Sequence, residues 1–219
     1  MLKGISFDLE EKEIIGIMGE SGSGKSVTMA SLLRILPING KITEGEIIFQ
    51  GEDLTNLSEK ELEKIRGNEI GIAFQNPKSC LNPVFTIEDQ LIEHYRVHKK
   101  VSKSEACSRA VEMLMLVQIP NADKRIKQYP HQFSGGELQR IMIAIALICR
   151  PKVLIADEIT SALDVLTQKE IIKLLKELKN KIGISIIFIT HDLKAAALIC
   201  DRIYELTDGT IKKSYYERN

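Results

Sequence analysis

The chain of 219 residues has 44% hydrophobic and 27% charged residues, which is ordinary for a globular protein with one sizeable core or two small lobes. Its 30 lysine and arginine residues equal its 30 aspartate and glutamate residues, so the formal net charge is zero. That balance argues against a broad electrostatic grip on nucleic acid or on an anionic membrane. The four cysteines include no CxxC pair and suit neither a zinc site nor a disulfide framework, so we expect reduced thiols in a cytosolic protein.

No segment has the length expected of a membrane span. The first 13 residues lack the apolar core that a signal peptide needs. The longest apolar run, residues 141–149, is far shorter than the roughly 20 residues of a membrane-spanning helix. If the chain works at a membrane, we expect a partner to hold it there.

The first third of the chain alternates strand and helix patterns. Residues 14–18 are predicted to form a buried strand, which a glycine-rich turn joins to a helix at 25–35. Residues 45–49 predict a short strand and residues 53–66 a polar helix. A further strand is expected at 70–74.

The middle of the chain is helical in pattern, and the last third alternates again. Apolar spacing predicts helical structure over 86–118, and a mostly apolar helix at 136–149 is expected to be buried. The later predicted elements, in chain order, are a strand at 153–156, a helix with an apolar stripe at 171–178, a strand at 184–189, a helix at 193–199 and a hairpin at 204–213.

This alternation predicts an α/β fold with a mostly parallel sheet. Few strand signals fall between residues 75 and 134, so this stretch reads as a helical insertion. We expect a single domain over residues 1–219. Its core would comprise residues 1–74 and 135–219, with a helical subdomain at about 75–134.

A phosphate-binding loop follows the first strand and matches G-x-x-x-x-G-K-[ST] at every fixed position. Its residues are Gly19, Glu20, Ser21, Gly22, Ser23, Gly24, Lys25 and Ser26, and with Val27 they form the predicted nucleotide contact. Glycines let successive N–H groups face phosphate oxygens, and the helix that follows adds its positive end. Lys25 would reach the β- and γ-phosphates of a nucleotide, and Ser26 would offer its hydroxyl to Mg²⁺. Kinases, GTPases and motors all carry this loop.

A second set of groups required for phosphoryl transfer follows the strand at 153–156. Asp157 is predicted to hold magnesium, directly or through water, and Glu158 to accept a proton from the attacking water as general base. Both lie at the carboxyl end of a strand, where α/β folds bind their ligands.

The segment Ser134-Gly135-Gly136-Glu137, followed by Gln139-Arg140, resembles the signature motif of ATP-binding-cassette proteins. Ser134 would cap the next helix, whose first amides would then face an anion. The resemblance implies the P-loop NTPase core of that family, with a small antiparallel β part and a helical subdomain. It also implies that two ATPase chains meet head to tail, each signature closing the nucleotide site of the other.

Three further motifs fall in the order of that family. Gln75 lies where the family has its glutamine loop, which implies a catalytic and metal-binding role. The segment 161–164, Ser-Ala-Leu-Asp, is similar to the loop that crosses the dimer interface. His191, between Thr190 and Asp192, resembles the switch histidine that contacts the γ-phosphate and helps to position water.

The sequence around the motifs resembles the importer branch for oligopeptides, dipeptides and nickel or related metal chelates. The matching stretches are residues 74–77, 79–83, 129–136 and 154–165. This resemblance implies a bacterial importer in which two ATPase chains, the same or paralogous, sit beneath two transmembrane permease subunits at the cytoplasmic face of the cell membrane. An extracytoplasmic substrate-binding protein would deliver the cargo, and no nucleic acid is expected as a partner.

The sequence departs from the family pattern at three places. Ile159 stands where the family usually has proline, and Glu137 replaces the more common glutamine. Phe7 reads as a strand residue rather than as the aromatic platform that stacks on adenine.

Two other classes of protein share parts of this pattern. A soluble cassette ATPase acting on ribosomes or DNA usually carries two cassettes in one chain or a long coiled-coil insertion; this chain has one cassette, a compact insertion and no basic stripe. A P-loop kinase needs an acceptor pocket and a GTPase a guanine-reading motif. Neither pattern is visible, and either class would leave Ser134-Gly135-Gly136 unexplained.

Overall fold

The computed structural model describes the backbone of residues 2–214 and the side chains of residues 2–212. Its strands are β1 (Ile14–Met18), β2 (Ile48–Phe49), β3 (Glu52–Asp53), β4 (Ile70–Ala73), β5 (Val153–Asp157), β6 (Ser185–Thr190), β7 (Arg202–Thr207) and β8 (Thr210–Ser214). Its α-helices are α1 (Lys25–Leu32), α2 (Glu59–Ile65), α3 (Pro77–Cys80), α4 (Ile87–His98), α5 (Lys103–Leu116), α6 (Ala122–Arg125), α7 (Gly135–Leu147), α8 (Val165–Ile182) and α9 (Leu193–Ile199).

The main sheet has the strand order β4-β5-β6-β1-β7-β8 within residues 2–214. The first five strands run parallel, and β8 pairs antiparallel with β7 to close the chain's last described hairpin. A separate antiparallel pair joins β2 to β3. The predicted α/β class with a mostly parallel sheet and a small antiparallel part is confirmed.

Apolar side chains cover both faces of the sheet, which explains why its central strands are apolar throughout. In β6 every residue is buried. Ile186 and Phe188 belong to the larger core cluster, which includes α7 and α8, whereas Ile187 and Ile189 belong to the cluster on the opposite face with Met29 of α1. A strand alternates its side chains between faces, so a strand covered on both sides needs a continuous apolar run.

Helix α7 joins the helical part of the chain to the sheet. Its mostly apolar residues are buried, as the sequence predicts, and α4, α5 and β4 pack against it. Gly71 of β4 lies so close to α7 that a Cβ atom there would be 2.2 Å from the carbonyl oxygen of Ala146. At the other end of the strand, Gln139 Nε2 donates to the carbonyl oxygen of Phe74 at 3.1 Å. Helix α7 therefore runs antiparallel to β4 and begins at the edge where the parallel strands end.

Between Pro77 and Gln132, all of which the structure describes, the regular elements are helices α3 to α6 and a 3-10 turn. The predicted helical stretch 86–118 divides into α4 and α5, because Ser102 caps a new helix by accepting from the amide of Glu105 at 3.2 Å. Helices α4 and α5 share the larger core cluster with the sheet. The apolar core is thus continuous from the helical part into the sheet.

Three local predictions differ from the structure. Residues 53–66 do not form one helix: a 3-10 turn at Leu54–Asn56 comes first, and Ser58 then starts α2 through a capping box with Glu61. The predicted strand at 45–49 shortens to β2. Phe7 is outside the strands, and its ring packs against Tyr204 with 5.8 Å between centroids.

The close approach of β4 to α7 predicts that Gly71→Ala destabilises the fold. The added methyl group meets backbone rather than a side chain, so the strand and helix must separate, and the free energy of unfolding should fall by at least about 2 kcal/mol. Urea denaturation measures this loss. The control Ile72→Val, on the same strand, should cost about 1 kcal/mol or less, and an equal loss in both variants would contradict the packing argument.

Candidate active site

The predicted site residues that follow strands meet at one edge of the sheet. Because β1, β4, β5 and β6 are parallel and paired in register, their carboxyl ends lie together. The phosphate loop follows β1, Gln75 follows β4, Glu158 follows β5 and His191 follows β6. Four separate segments thus supply side chains to one place.

The loop from Gly19 to Gly24 wraps around the side chain of Lys25. The Lys25 ammonium donates to the carbonyl oxygens of Gly19 at 2.8 Å and Glu20 at 2.9 Å, and the residue is only 6% exposed. Gly22 and Gly24 have φ angles of +83° and +113°, which side chains rarely adopt. The backbone of the loop therefore encloses the Lys25 ammonium and directs carbonyl oxygens toward it.

The same loop has open donors for phosphate. The hydroxyl oxygen of Ser23 is buried and has no hydrogen-bond partner among the described residues. Gly24 is the N-cap of α1 and provides no side-chain cap, so the first amides of that helix are available to an anion. Ser26 and Val27 are exposed on the first turn of α1, and Ser21 is exposed in the loop. These features fit the triphosphate of a nucleotide.

The carboxylate of Glu158 is the meeting point of the predicted catalytic residues. Lys25 Nζ lies 3.3 Å from its Oε1. Gln75 Nε2 lies 3.2 Å and His191 Nδ1 3.4 Å from its Oε2. Glu158 has a φ of +47°, unusual for a residue with a side chain, and its amide donates to the carbonyl of Ile189 at 2.9 Å. This backbone conformation aims a half-buried carboxylate into the site.

Asp157 stands next to that carboxylate in a more enclosed position. Burial raises the pKa of Asp157, the nearby charge of Glu158 raises it further, and the Lys25 ammonium opposes both effects. A divalent cation would relieve this crowding of negative charge. Asp157 and the hydroxyl of Ser26 are hard oxygen donors of the kind that Mg²⁺ prefers, so the residues present fit that ion.

The signature segment lies at the start of α7. Ser134 caps the helix as predicted: its hydroxyl accepts from the amide of Glu137 at 3.3 Å, and the Glu137 carboxylate accepts from the amide of Ser134 at 2.9 Å. Gly135 borders open space, whereas a Cβ at Gly136 would be 2.6 Å from the methyl group of Thr167. Ser134 and Gly135 are exposed and leave the helix N-terminus accessible.

The Glu137 side chain is paired with Arg125. Its two carboxylate oxygens accept from the two terminal nitrogens of Arg125, which also stacks over the ring of Phe133 at 4.5 Å. The hydrogen bonds from Arg125 and the Ser134 amide lower the pKa of Glu137 to about 2, against the opposing effect of burial. Within residues 2–214, no hydrogen bond or ion pair joins 134–137 to the loop at 19–27.

Two polar residues contribute to the site beyond the roles expected of them. Ser161 accepts a hydrogen bond from Gln75 Nε2 at 2.9 Å, and buried Gln139 binds the carbonyl that precedes Gln75. The sequence gives one signal for Ser161, a serine three residues after the predicted base. It gives no signal for the partner of Gln139, because that contact depends on how α7 packs.

Comparison with known proteins identifies the family of this chain. Residues 2–161, well over half of the chain, match the family described as "ABC transporter". The chain belongs to the ABC transporter family. No helix in residues 2–214 combines the length and the apolar character that crossing a membrane requires.

Several ABC transporter relatives are similar over nearly the whole chain. The oligopeptide transport ATP-binding protein OppD of Bacillus subtilis is 49% identical over 211 residues, which are 96% of this chain and 59% of that protein. The dipeptide transport ATP-binding protein DppD of Bacillus subtilis is 51% identical over 209 residues, or 95% of this chain and 62% of that protein. The chain thus spans about three fifths of the length of these relatives.

A solved structure shows the same ABC transporter fold. The dimeric post-hydrolysis state of the ATP-binding cassette MJ0796 bound to ADP and Pi superposes with a TM-score of 0.85 and 33% identity, covering 100% of this chain and 91% of that one. The departures from the family pattern are compatible with this fold. Ile159, in place of the usual proline, is 1% exposed and joins the larger core cluster.

The ion pair of Glu137 predicts a pH-dependent stability. Its folded pKa, about 2, is below the ordinary value of 4.5, so the stabilisation is present above pH 4.5 and is lost as pH falls toward 2. Glu137→Gln keeps a capping-box residue but removes the charge, and should lower the free energy of unfolding at pH 7 by about 2 kcal/mol.

Urea denaturation of both proteins between pH 7 and pH 3 measures this difference, which should shrink below pH 4.5. The control Glu170→Gln removes an exposed ion pair with Arg140 and should change stability by less than about 1 kcal/mol. A difference between wild type and Glu137→Gln that is the same at every pH would contradict the assignment.

Proposed function

We propose that this chain is the ATP-hydrolysing subunit of a bacterial membrane importer. The observation that carries the proposal is the convergence of Lys25, Gln75 and His191 on the Glu158 carboxylate beside a phosphate-binding loop. Together with Asp157, those groups are the ones that phosphoryl transfer to water requires: a phosphate cradle, a lysine, a metal-binding acid and a base.

Hydrolysis in this site begins with a change of partner for Lys25. The phosphate oxygens of ATP would take the ammonium that now binds two backbone carbonyls and Glu158. Glu158, no longer paired with Lys25, then accepts a proton from the attacking water as general base. His191, 54% exposed and next to that carboxylate, orients the water and contacts the γ-phosphate.

We assign Mg²⁺ to Ser26, Asp157 and Gln75, where the ion would neutralise charge on the β- and γ-phosphates. The amide group of Gln75 turns its nitrogen toward Glu158, so its oxygen is the atom for a cation. Asp157 is destabilised as a bare carboxylate in this enclosure, and a cation would remove that cost.

The site is completed by a second ATPase chain in this proposal. The segment Ser134, Gly135, Gly136 and Glu137 caps an accessible helix N-terminus yet forms no bond to its own phosphate loop. Such a helix end suits an anion supplied from elsewhere, namely the nucleotide of a partner chain bound head to tail. Opening and closing of this dimer would move the helical subdomain at about 75–134 relative to the core at 1–74 and 135–219.

Peptide import is the transport function that the relatives favour. OppD and DppD are named for oligopeptide and dipeptide transport, and this supports peptide cargo over nickel or another metal chelate. Two transmembrane permease subunits would hold the chain at the cytoplasmic face of the cell membrane, and an extracytoplasmic binding protein would supply the cargo. No observation favours the alternative of a soluble ATPase acting on ribosomes or DNA.

The assignment of the base predicts that Glu158→Gln abolishes steady-state hydrolysis. Phosphate release from MgATP should fall by at least about a hundredfold, because glutamine keeps the shape but accepts no proton. The affinity for ATP should not fall, because glutamine no longer pairs with Lys25 as an anion. Phosphate release and titration with a fluorescent ATP analogue measure the two effects.

The matched control for this test is Glu69→Gln. Glu69 immediately precedes β4 and therefore lies where the parallel strands begin, away from the site at their carboxyl ends. Its carboxylate pairs with the Lys152 ammonium at 3.6 Å. This variant should hydrolyse ATP at the wild-type rate. Unchanged turnover in Glu158→Gln would refute Glu158 as the base.

The transport assignment predicts which proteins bind the ATP-loaded chain. Tagged Glu158→Gln protein with MgATP, incubated with detergent-solubilised membranes of the source cell, should recover two polytopic membrane proteins and a second cassette chain by mass spectrometry. A Lys25→Ala variant, which lacks the phosphate-binding ammonium, should recover less of the second cassette chain. Recovery of ribosomal or DNA-bound proteins instead would refute the importer.

A further inference from the structure

Ser161 connects two predicted catalytic residues through three hydrogen bonds. It lies in the turn after β5, where its amide and its hydroxyl both donate to the carbonyl oxygen of Glu158, at 3.1 and 2.8 Å. Its hydroxyl oxygen also accepts from Gln75 Nε2 at 2.9 Å. One side chain therefore contacts both the backbone of Glu158 and the side chain of Gln75.

The chemistry of the donors fixes the direction of each bond. The ionised Glu158 carboxylate only accepts, so the group of Gln75 that faces it must be the NH₂. The second hydrogen of that NH₂ reaches the Ser161 oxygen, and the Ser161 proton in turn goes to the Glu158 carbonyl. Bonds that share a direction in this way polarise one another and resist rotation of any one group.

Ser161 also supports an unusual backbone conformation. Glu158 has a φ of +47°, a region that residues with side chains avoid unless their surroundings impose it. Its amide is fixed by Ile189 on β6, and its carbonyl is fixed by Ser161 alone among the hydrogen bonds of the described chain. The two bonds from Ser161 thus hold one end of the peptide whose side chain is the proposed base.

A role in core packing does not explain this serine. Ser161 and Gln75 are both exposed, and the neighbouring buried positions of the turn are Ile159 and Thr160. Losing an exposed hydroxyl costs little stability, whereas misplacing a catalytic group slows the reaction.

We propose that Ser161 is a positioning residue for hydrolysis, which orients the Gln75 amide and the Glu158 backbone without touching the reacting atoms. The proposal rests on the proposed function. It assigns Ser161 an effect within its own chain, on the alignment of base and amide, and not on the affinity for ATP.

The first test is steady-state ATP hydrolysis by three variants. Ser161→Ala should lower kcat about tenfold, because it removes the two hydroxyl hydrogen bonds that align Gln75 and Glu158. KM and the affinity for ATP should stay unchanged, because the proposal gives Ser161 no contact with the nucleotide. Ser161→Thr keeps the hydroxyl at an exposed position, so it should stay within about threefold of wild type. The control Ser108→Ala removes a hydroxyl that bonds the carbonyl of Ser104 on α5 and should leave kcat unchanged.

A double-mutant cycle separates positioning from a structural effect. If Ser161 acts through Gln75, the fall in kcat for Ser161→Ala combined with Gln75→Ala should be clearly smaller than the product of the two single effects. Effects that multiply, or a Ser161→Ala kcat within twofold of wild type, would overturn the proposal. So would a raised KM with unchanged kcat.

A second readout keeps the proposal testable if the wild-type chain does not hydrolyse ATP, a result that would count against the proposed function. The side-chain amide signals of Gln75 in ¹⁵N NMR, assigned with Gln75→Ala, should shift in Ser161→Ala and stay in place in Ser108→Ala. Gln75 signals that are identical in wild type and Ser161→Ala would refute the contact itself.

Discussion

The site is built around one buried positive charge. The Lys25 ammonium is nearly enclosed, and burying an ion costs several kcal/mol unless partners replace its water. The loop backbone supplies two carbonyl oxygens, and the turn after β5 supplies the Glu158 carboxylate. To bring its carbonyl oxygens to Lys25, the loop backbone must turn sharply, and glycines at Gly22 and Gly24 allow the positive φ angles of that turn. The position of the ammonium also determines where a phosphate would bind. They also mean that phosphate must compete with a carboxylate of the same chain.

The remaining groups of the site depend on how helix α7 packs against strand β4. Helix α7 packs along β4 and contacts Gly71 and the carbonyl oxygen of Phe74. Its N-terminus lies at the edge where the parallel strands end. Gln139 of α7 donates a hydrogen bond to the carbonyl oxygen of Phe74, the residue directly before Gln75. The signature serine and the glutamine are thus fixed relative to each other by a single helix, although 59 positions separate Gln75 from Ser134 in the sequence. A shift of α7 would therefore displace the backbone at Gln75.

The sequence predicts the fold and the positions of the main site residues because their signals are local. A short apolar run bounded by turn residues indicates a buried strand, and a glycine-rich loop between a strand and a helix has few other uses. The start of α7 was also predictable, since Ser134 and Glu137 have the spacing of a capping box.

Contacts between distant segments could not be predicted in this way. Glu137 binds Arg125, and Phe7 packs on Tyr204, because of tertiary packing that neither local pattern contains. The hydrogen bond from Gln75 to Ser161 joins the loops that follow the paired strands β4 and β5, and the two residues are 86 positions apart in the sequence. Short polar elements were also hard to predict: Asp53 starts a separate 3-10 turn by accepting from the amide of Thr55 at 3.0 Å, and Ser58 starts α2 only afterwards.

Gly71 has a consequence for how this lineage varies over evolution. Most crowded pairs in a core tolerate a larger residue when the neighbour becomes smaller, so the two positions drift together. Here the obstructing atom is the main-chain oxygen of residue 146, which every amino acid carries. No exchange at position 146 relieves the crowding, so position 71 should remain glycine whatever its neighbours become, and its constancy would mark backbone contact rather than chemistry.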